Sequence, residues 1–182
     1  MADIEATRTY LELKDRDQLR PVPLDRRARL ERVVACSPAY FLFLYAQVGR
    51  RYHWRDRLVW TDEQCRARIG QPGVELWVLY TGGSPAGYFE LELHDDDAVE
   101  IVYFGLMPEY VGHGLGKQML TAAAQRGWEM GGKRVWLHTC TLDNPAALPN
   151  YLKRGFTPFK TEQFTLTATP PALSATRAAA RP

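Results

Sequence analysis

The stretch Val111-Gly112-His113-Gly114-Leu115-Gly116-Lys117 restricts the fold of this 182-residue chain more than any other. It follows an apolar run, Val99 to Leu106, that reads as a strand, and it opens a segment, Leu115 to Met130, that reads as a helix. A strand, a turn through Pro108, a glycine-rich loop and a helix N-terminus gather partnerless backbone amides at one point. The helix dipole adds partial positive charge there. Glycine removes the Cβ that would hold the backbone away from a bound oxyanion.

The spacing narrows the choice of anion. A dinucleotide loop needs Gly-x-Gly-x-x-Gly, whereas here Gly112, Gly114 and Gly116 alternate. A nucleotide P-loop needs four residues before Gly-Lys and a hydroxyl after it. Here three residues separate Gly112 from Gly116, and Gln118 follows Lys117. A pyrophosphate held without a metal fits better, although a tight strand-to-helix connection would use the same glycines.

A second signal lies downstream. Strand-like Val135 to Thr139 leads to Asp143-Asn144-Pro145-Ala146-Ala147 and then to Tyr151-Leu152-Lys153-Arg154-Gly155-Phe156. Asn144 suits a helix N-cap and Pro145 a first helical residue. Tyr151 then falls about two turns on, facing the same side, and Gly155 ends the helix. Pro149 inside this segment removes an amide and predicts a late start or a kink.

These two motifs resemble those of the Gcn5-related N-acetyltransferase (GNAT) superfamily over about residues 74 to 160. Val111-Gly112-His113-Gly114-Leu115-Gly116 takes the place of the family's Gln/Arg-x-x-Gly-x-Gly/Ala loop. Asn144, Ala147, Tyr151, Gly155 and Phe156 match the family's later Asn-x-x-Ala-x-x-x-Tyr-x-x-x-Gly-Phe pattern. The resemblance implies a mixed α/β fold, with a mostly antiparallel central sheet flanked by helices and two splayed central strands. It implies acetyl-coenzyme A as co-substrate and an amine acceptor, with the pyrophosphate over Val111 to Lys117. Backbone donors from Leu106 and Met107 would lie near the thioester, and Asn144 would lie beside the coenzyme. Val111 replaces the family's basic or amide residue, so Lys117 or His113 is expected to supply the polar contact.

Tyr151 is the expected general acid by this resemblance, since a phenol carries a proton at neutral pH. Glu100, the acidic residue of the Val99 to Leu106 strand, is the expected base. A regular strand places it on one face with Val102 and Phe104, and partial burial would raise its pKa. Glu90, Glu92 and His138 are alternatives. Gly105 marks a bulge or a close backbone approach. His94-Asp95-Asp96-Asp97 reads as a hairpin turn rather than a metal site, and no metal is expected. His138 and Cys140, two apart on a strand, do not touch, so Cys140 reads as packing.

The rest of the chain carries less chemistry. Two strands, Glu75 to Tyr80 and Ala86 to His94, flank a Gly82-Gly83 hairpin signal, and others cover Thr7 to Leu13, Arg134 to Cys140 and Phe156 to Leu166. Helices are predicted over Asp25 to Ala35, over Pro38 to Gly49, and from Thr61, where Thr61-x-x-Gln64 resembles a capping box. The cluster Tyr52-His53-Trp54-Arg55 with Trp60 suits either core packing or an acceptor pocket for a small amphiphilic amine. The length and 46 % hydrophobic content suit one domain over residues 1–167, with 1–73 on the acceptor side, 74–167 as the coenzyme-binding core and 168–182 as a disordered tail. A net charge of +2 gives no case for nucleic acid. No apolar run spans a bilayer, and no signal peptide is visible. Three cysteines without ligand spacing fit reduced thiols in the cytoplasm. The resemblance also allows a homodimer. Two other readings stay open: a coenzyme-binding sensor without turnover, and an acyltransferase for longer acyl groups.

Overall fold

The computed structural model describes residues 3–166. Strands Ile4–Leu13 (β1), Ala28–Arg32 (β2), Val74–Thr81 (β3), Ser84–Leu93 (β4), Ala98–Leu106 (β5), Arg134–Cys140 (β6) and Thr157–Leu166 (β7) form one sheet. Its order is β2-β3-β4-β5-β6-β1-β7. Every neighbouring pair is antiparallel except β5 and β6. Helices Pro38–Gly49 (α1), Asp62–Ile69 (α2), Leu115–Glu129 (α3) and Ala147–Lys153 (α4) flank it. Residues 168–182, read from sequence as a disordered tail, lie outside the described residues.

Local chemistry sets most boundaries. Gly82 and Gly83 both take positive φ, the backbone twist that a two-residue hairpin turn needs between β3 and β4. Asp97 takes φ 59 in the next turn, where Asp97 donates its amide to the His94 carbonyl and Asp96 accepts from the Ala98 amide. Ser37 caps α1, with Pro38 at its first position. Thr61 and Gln64 exchange the two hydrogen bonds of a capping box at α2.

One element differs from the sequence reading. Residues 25–35 do not form a helix. Asp25 closes a turn by accepting from the Ala28 and Arg27 amides, and residues 28–32 extend as edge strand β2 along β3. The segment alternates, with Ala28 and Leu30 packed on the core and Arg29 and Glu31 outward. That period suits a strand, and charges on an edge strand discourage further pairing.

Strand alternation divides the core in two. Phe89, Leu91, Val99 and Ile101 pack with Met119, Leu120 and Ala123 of α3. Tyr88, Leu76 and Val78 pack with Phe41, Leu44 and Val48 of α1. β1, although N-terminal, lies between β6 and β7 on the far side of the sheet from β3.

Candidate active site

β5 and β6 pair in parallel at only three positions: Ala98 with Arg134, Val99 with Val135 and Glu100 with Trp136. Beyond them β5 stays with β4 to Leu106, while β6 stays with β1 to Cys140. The strands therefore splay, and a cavity of about 660 Å³ opens in the gap. Residues 101–106 line one side, and Leu137, His138 and Cys140 the other. The Met107 amide donates to the Ala86 carbonyl at 2.8 Å. The alternation of an antiparallel ladder then turns the amides and carbonyls of Leu106 and Phe104 away from β4, toward the gap. Leu106 thus offers a free backbone group, and Met107, buried against α1, does not.

The glycine turn closes one end of this cavity. Gly112 and Gly114 take φ 91 and 76, and Gly114 is the N-cap of α3. No side chain caps that helix, so its first amides stay open to a ligand. Val111, Gly112, Gly114, Gly116 and Lys117 line the cavity. Leu115 turns into the core instead, and His113 is not part of the lining. Lys117 folds back over the loop: its Nζ lies 3.9 Å from where a Cβ on Gly114 would stand. The positive charge that Val111 cannot supply therefore comes from the first turn of α3.

The opposite wall comes from α4. This helix starts late, at Ala147, and Pro149 occupies its third position, where an amide has no intrahelical acceptor to lose. Asn144 does not cap the helix; its Oδ1 accepts from the Ala146 amide and its Nδ2 donates to the Tyr52 hydroxyl at 2.8 Å. Tyr151 is buried, edge-on to Phe104 and Phe156, and lines the cavity. Burial raises its pKa above that of an ordinary phenol, so it keeps its proton at neutral pH.

Glu100 occupies a different position from the one its sequence suggests. The ladder slips between Glu90 and Leu91, which face Tyr103 and Ile101, so Val102 is an extra residue. Phe104 consequently packs on the α3 and α4 side, not on the face of Glu100. Glu100 lies beside His94, at 3.3 Å, and is not part of the cavity lining. Burial and Glu92 raise its pKa, against the pull of His94 and Arg68. It also lies 3.9 Å from Nε2 of His138, an electrostatic contact rather than a hydrogen bond. His138 does line the cavity. Its side chain keeps 37 % exposure; desolvation of the rest first, and Arg8 second, lower its pKa from the ordinary 6.5, so the ring is neutral at pH 7.

A family model described as the acetyltransferase (GNAT) family matches residues 39–156. The chain belongs to the GNAT family. It is 29 % identical over 112 residues to an uncharacterised N-acetyltransferase of Lactobacillus delbrueckii subsp. lactis, a match covering 58 % of this chain and 64 % of that one. Its fold is similar to a GCN5-related N-acetyltransferase from Kribbella flavida, with TM-score 0.64 and 18 % identity over 87 % of this chain and 56 % of that one. It is also similar to an aminoglycoside acetyltransferase from an uncultured soil metagenomic sample, with TM-score 0.58 and 16 % identity over 71 % of this chain and 88 % of that one. The chain thus spans less than two thirds of the length of the curated relative and of the Kribbella protein.

The remaining wall of this GNAT cavity takes in Tyr52, His53 and Trp54 of the aromatic cluster seen in the sequence, whereas Tyr45, Tyr103 and Asp56 carried no local signal. Tyr45 of α1, Tyr103 of β5, and Tyr52, Trp54 and Asp56 from the segment after α1 line it. The segment is anchored by Arg57, whose guanidinium lies 4.2 Å from the Tyr103 ring and 4.8 Å from the Trp60 ring and binds buried Glu90 through two nitrogens. Arg68 donates to the same carboxylate. Glu90, offered by sequence as an alternative base, is thus engaged in ion pairs. Gly105 is not a bulge; a Cβ there would stand 2.5 Å from Val48, so the glycine lets α1 approach β5. Glu92, His94 and Glu100 also bring ligand atoms within 4.8 Å of one another. Both Glu92 oxygens, however, already accept from Arg68 and Gln71. Among the described residues, no helix is long and apolar enough to cross a membrane.

Proposed function

We propose that this chain is an acetyl-coenzyme A-dependent N-acetyltransferase in which a primary amine attacks the thioester directly. The observation that carries this reading is one continuous cavity. It runs from the open amides of the Gly112–Lys117 turn, past the free backbone of Leu106, to His138 and Tyr151 across the β5–β6 gap. The residues suit a pyrophosphate at one end: three glycines, uncapped helical amides and the Lys117 ammonium, with no carboxylate in the turn. Acetyl-coenzyme A supplies the activated acyl carbon.

In this reading His138 is the base, in place of Glu100. It lines the cavity and is neutral at working pH, so it can accept the proton released as the C–N bond forms. The charges of Asp143 and Glu162 favour the imidazolium it becomes. Tyr151 gives its hydroxyl proton to sulfur as the C–S bond breaks. Phe104 and Phe156 fix the ring. Residues 3–166 act as one unit, since both ends of the segment pair in the same sheet. The three free cysteines suit a reducing cytoplasm.

Two measurements on one variant test the proposal. Gly116→Val, where an added Cβ meets only ordinary contacts, should keep the fold by circular dichroism but weaken acetyl-coenzyme A binding by calorimetry at least about tenfold, a loss of ~1.4 kcal/mol. The wild-type chain should release free thiol when amines are added. Unchanged affinity in the variant would remove the turn as the coenzyme site. Coenzyme binding without thiol release for any amine would favour a sensor.

A further inference from the structure

The acceptor wall contains a polar group with no protein function. Tyr45 is fully buried, and its hydroxyl has no hydrogen-bond partner among the described residues. Leaving such a group unpaired costs about 1–3 kcal/mol. The residue itself lines the cavity. Its ring is held by Trp54 at 5.5 Å and Tyr103 at 5.2 Å, both of which also line the cavity. Burial raises the Tyr45 pKa, so it stays neutral and serves as a hydrogen-bonding group, not as a base.

The charges around this wall are sparse. Two carboxylates line the cavity, Asp56 and Asp143. One oxygen of Asp143 accepts from both the Thr139 hydroxyl and the Cys140 amide, each at 2.8 Å. Asp56 makes no ion pair among the described residues and is exposed, as suits a group at the mouth. It is close enough for its charge to act on both Tyr45 and Tyr103. Arg8, Lys117 and Lys153 line the same cavity; Arg8 is paired with Glu162 at 3.4 Å, and the two lysines repel additional positive charge.

Resting on the reading of the chain as an N-acetyltransferase, we propose that its acceptor is a small primary amine with one positive charge on an aromatic body. Asp56 draws the cation to the mouth, the Tyr45 hydroxyl accepts a hydrogen bond from its nitrogen, and the body stacks against Trp54 and Tyr103. An ammonium over such rings gains cation–π attraction, and a flat body gains area burial. A polycation fits less well, because Asp56 is the one carboxylate among the described lining residues without a hydrogen-bond partner.

The test is thiol release by the full chain with acetyl-coenzyme A and three acceptors: 2-phenylethylamine, spermidine and a short peptide with a free N-terminus. The monoamine should show the highest kcat/KM. Asp56→Asn should raise its KM about tenfold with kcat within about twofold, as expected of a group that attracts but does not react. Tyr45→Phe should lower kcat/KM about tenfold, the worth of one neutral hydrogen bond, while coenzyme affinity by calorimetry stays unchanged. Preference for spermidine or the peptide, or an unchanged KM in Asp56→Asn, overturns this inference and leaves the N-acetyltransferase reading standing. Absence of turnover with every amine, with coenzyme still bound, overturns both.

Discussion

The two walls of the cavity are built by different means. The wall proposed for the coenzyme, from Val111 to Lys117, is local: seven consecutive residues supply the positive-φ glycines, the open amides and the ammonium. The wall proposed for the acceptor is assembled from distant parts. Arg57 reaches Glu90 on β4, Tyr45 on α1 meets Tyr103 on β5, and Asn144 holds Tyr52. A local wall keeps its shape through backbone conformation, here set by glycines at positive φ. An assembled wall depends on tertiary contacts, several of them buried and charged, and fails when one partner is lost.

His138 lines the cavity between the walls and should give the largest effect. His138→Gln is expected to lower kcat/KM about 10²–10⁴-fold, the usual worth of a general base, with coenzyme affinity unchanged in calorimetry. Wild-type turnover in this variant would return the role to a residue of the acceptor wall.

Glu90→Gln strikes the assembled wall at its anchor. It leaves Arg57 and Arg68 beside a neutral amide and should cost about 3–5 kcal/mol in urea denaturation. Lys117→Gln on the local wall should change stability by less than about 0.5 kcal/mol while weakening coenzyme binding. Similar stability losses for both would erase the contrast between the walls.

Tyr151→Phe keeps the ring against Phe104 and Phe156 and removes only the proton. Turnover should fall about 10- to 1000-fold in stopped assays, and less with donors whose leaving thiol is more acidic. Full activity on acetyl-coenzyme A would show that the α4 side contributes packing alone.

The smallest effect concerns pH. Because the His138 pKa is lowered, the acidic limb of kcat/KM should lie below pH 6.5. Arg8 is one cause of the lowering, so Arg8→Gln should move the limb upward, by less than about one pH unit. Glu162→Gln removes a negative charge that raises the His138 pKa and should move it downward. A limb that ignores both variants would separate His138 from the rate-limiting proton transfer.

What the sequence by itself determined was whatever neighbouring residues decide. The capping box of Thr61 and Gln64, the Gly82-Gly83 hairpin, the start of α3 at the glycine turn and the late start of α4 at Pro149 all follow from backbone preferences within a few residues. Tertiary structure decided the rest. Residues 28–32 became a strand because β3 offered an edge. The extra residue at Val102 separated Glu100 from Phe104, and no local signal marks where a ladder slips. His138 became the stronger base candidate because β5 leaves β6 after Glu100, so that one strand carries its side chain into the gap while the other keeps Glu100 behind it. Periodicity reports which face a residue would take in a regular strand, whereas strand pairing across the fold decides whether the strand is regular.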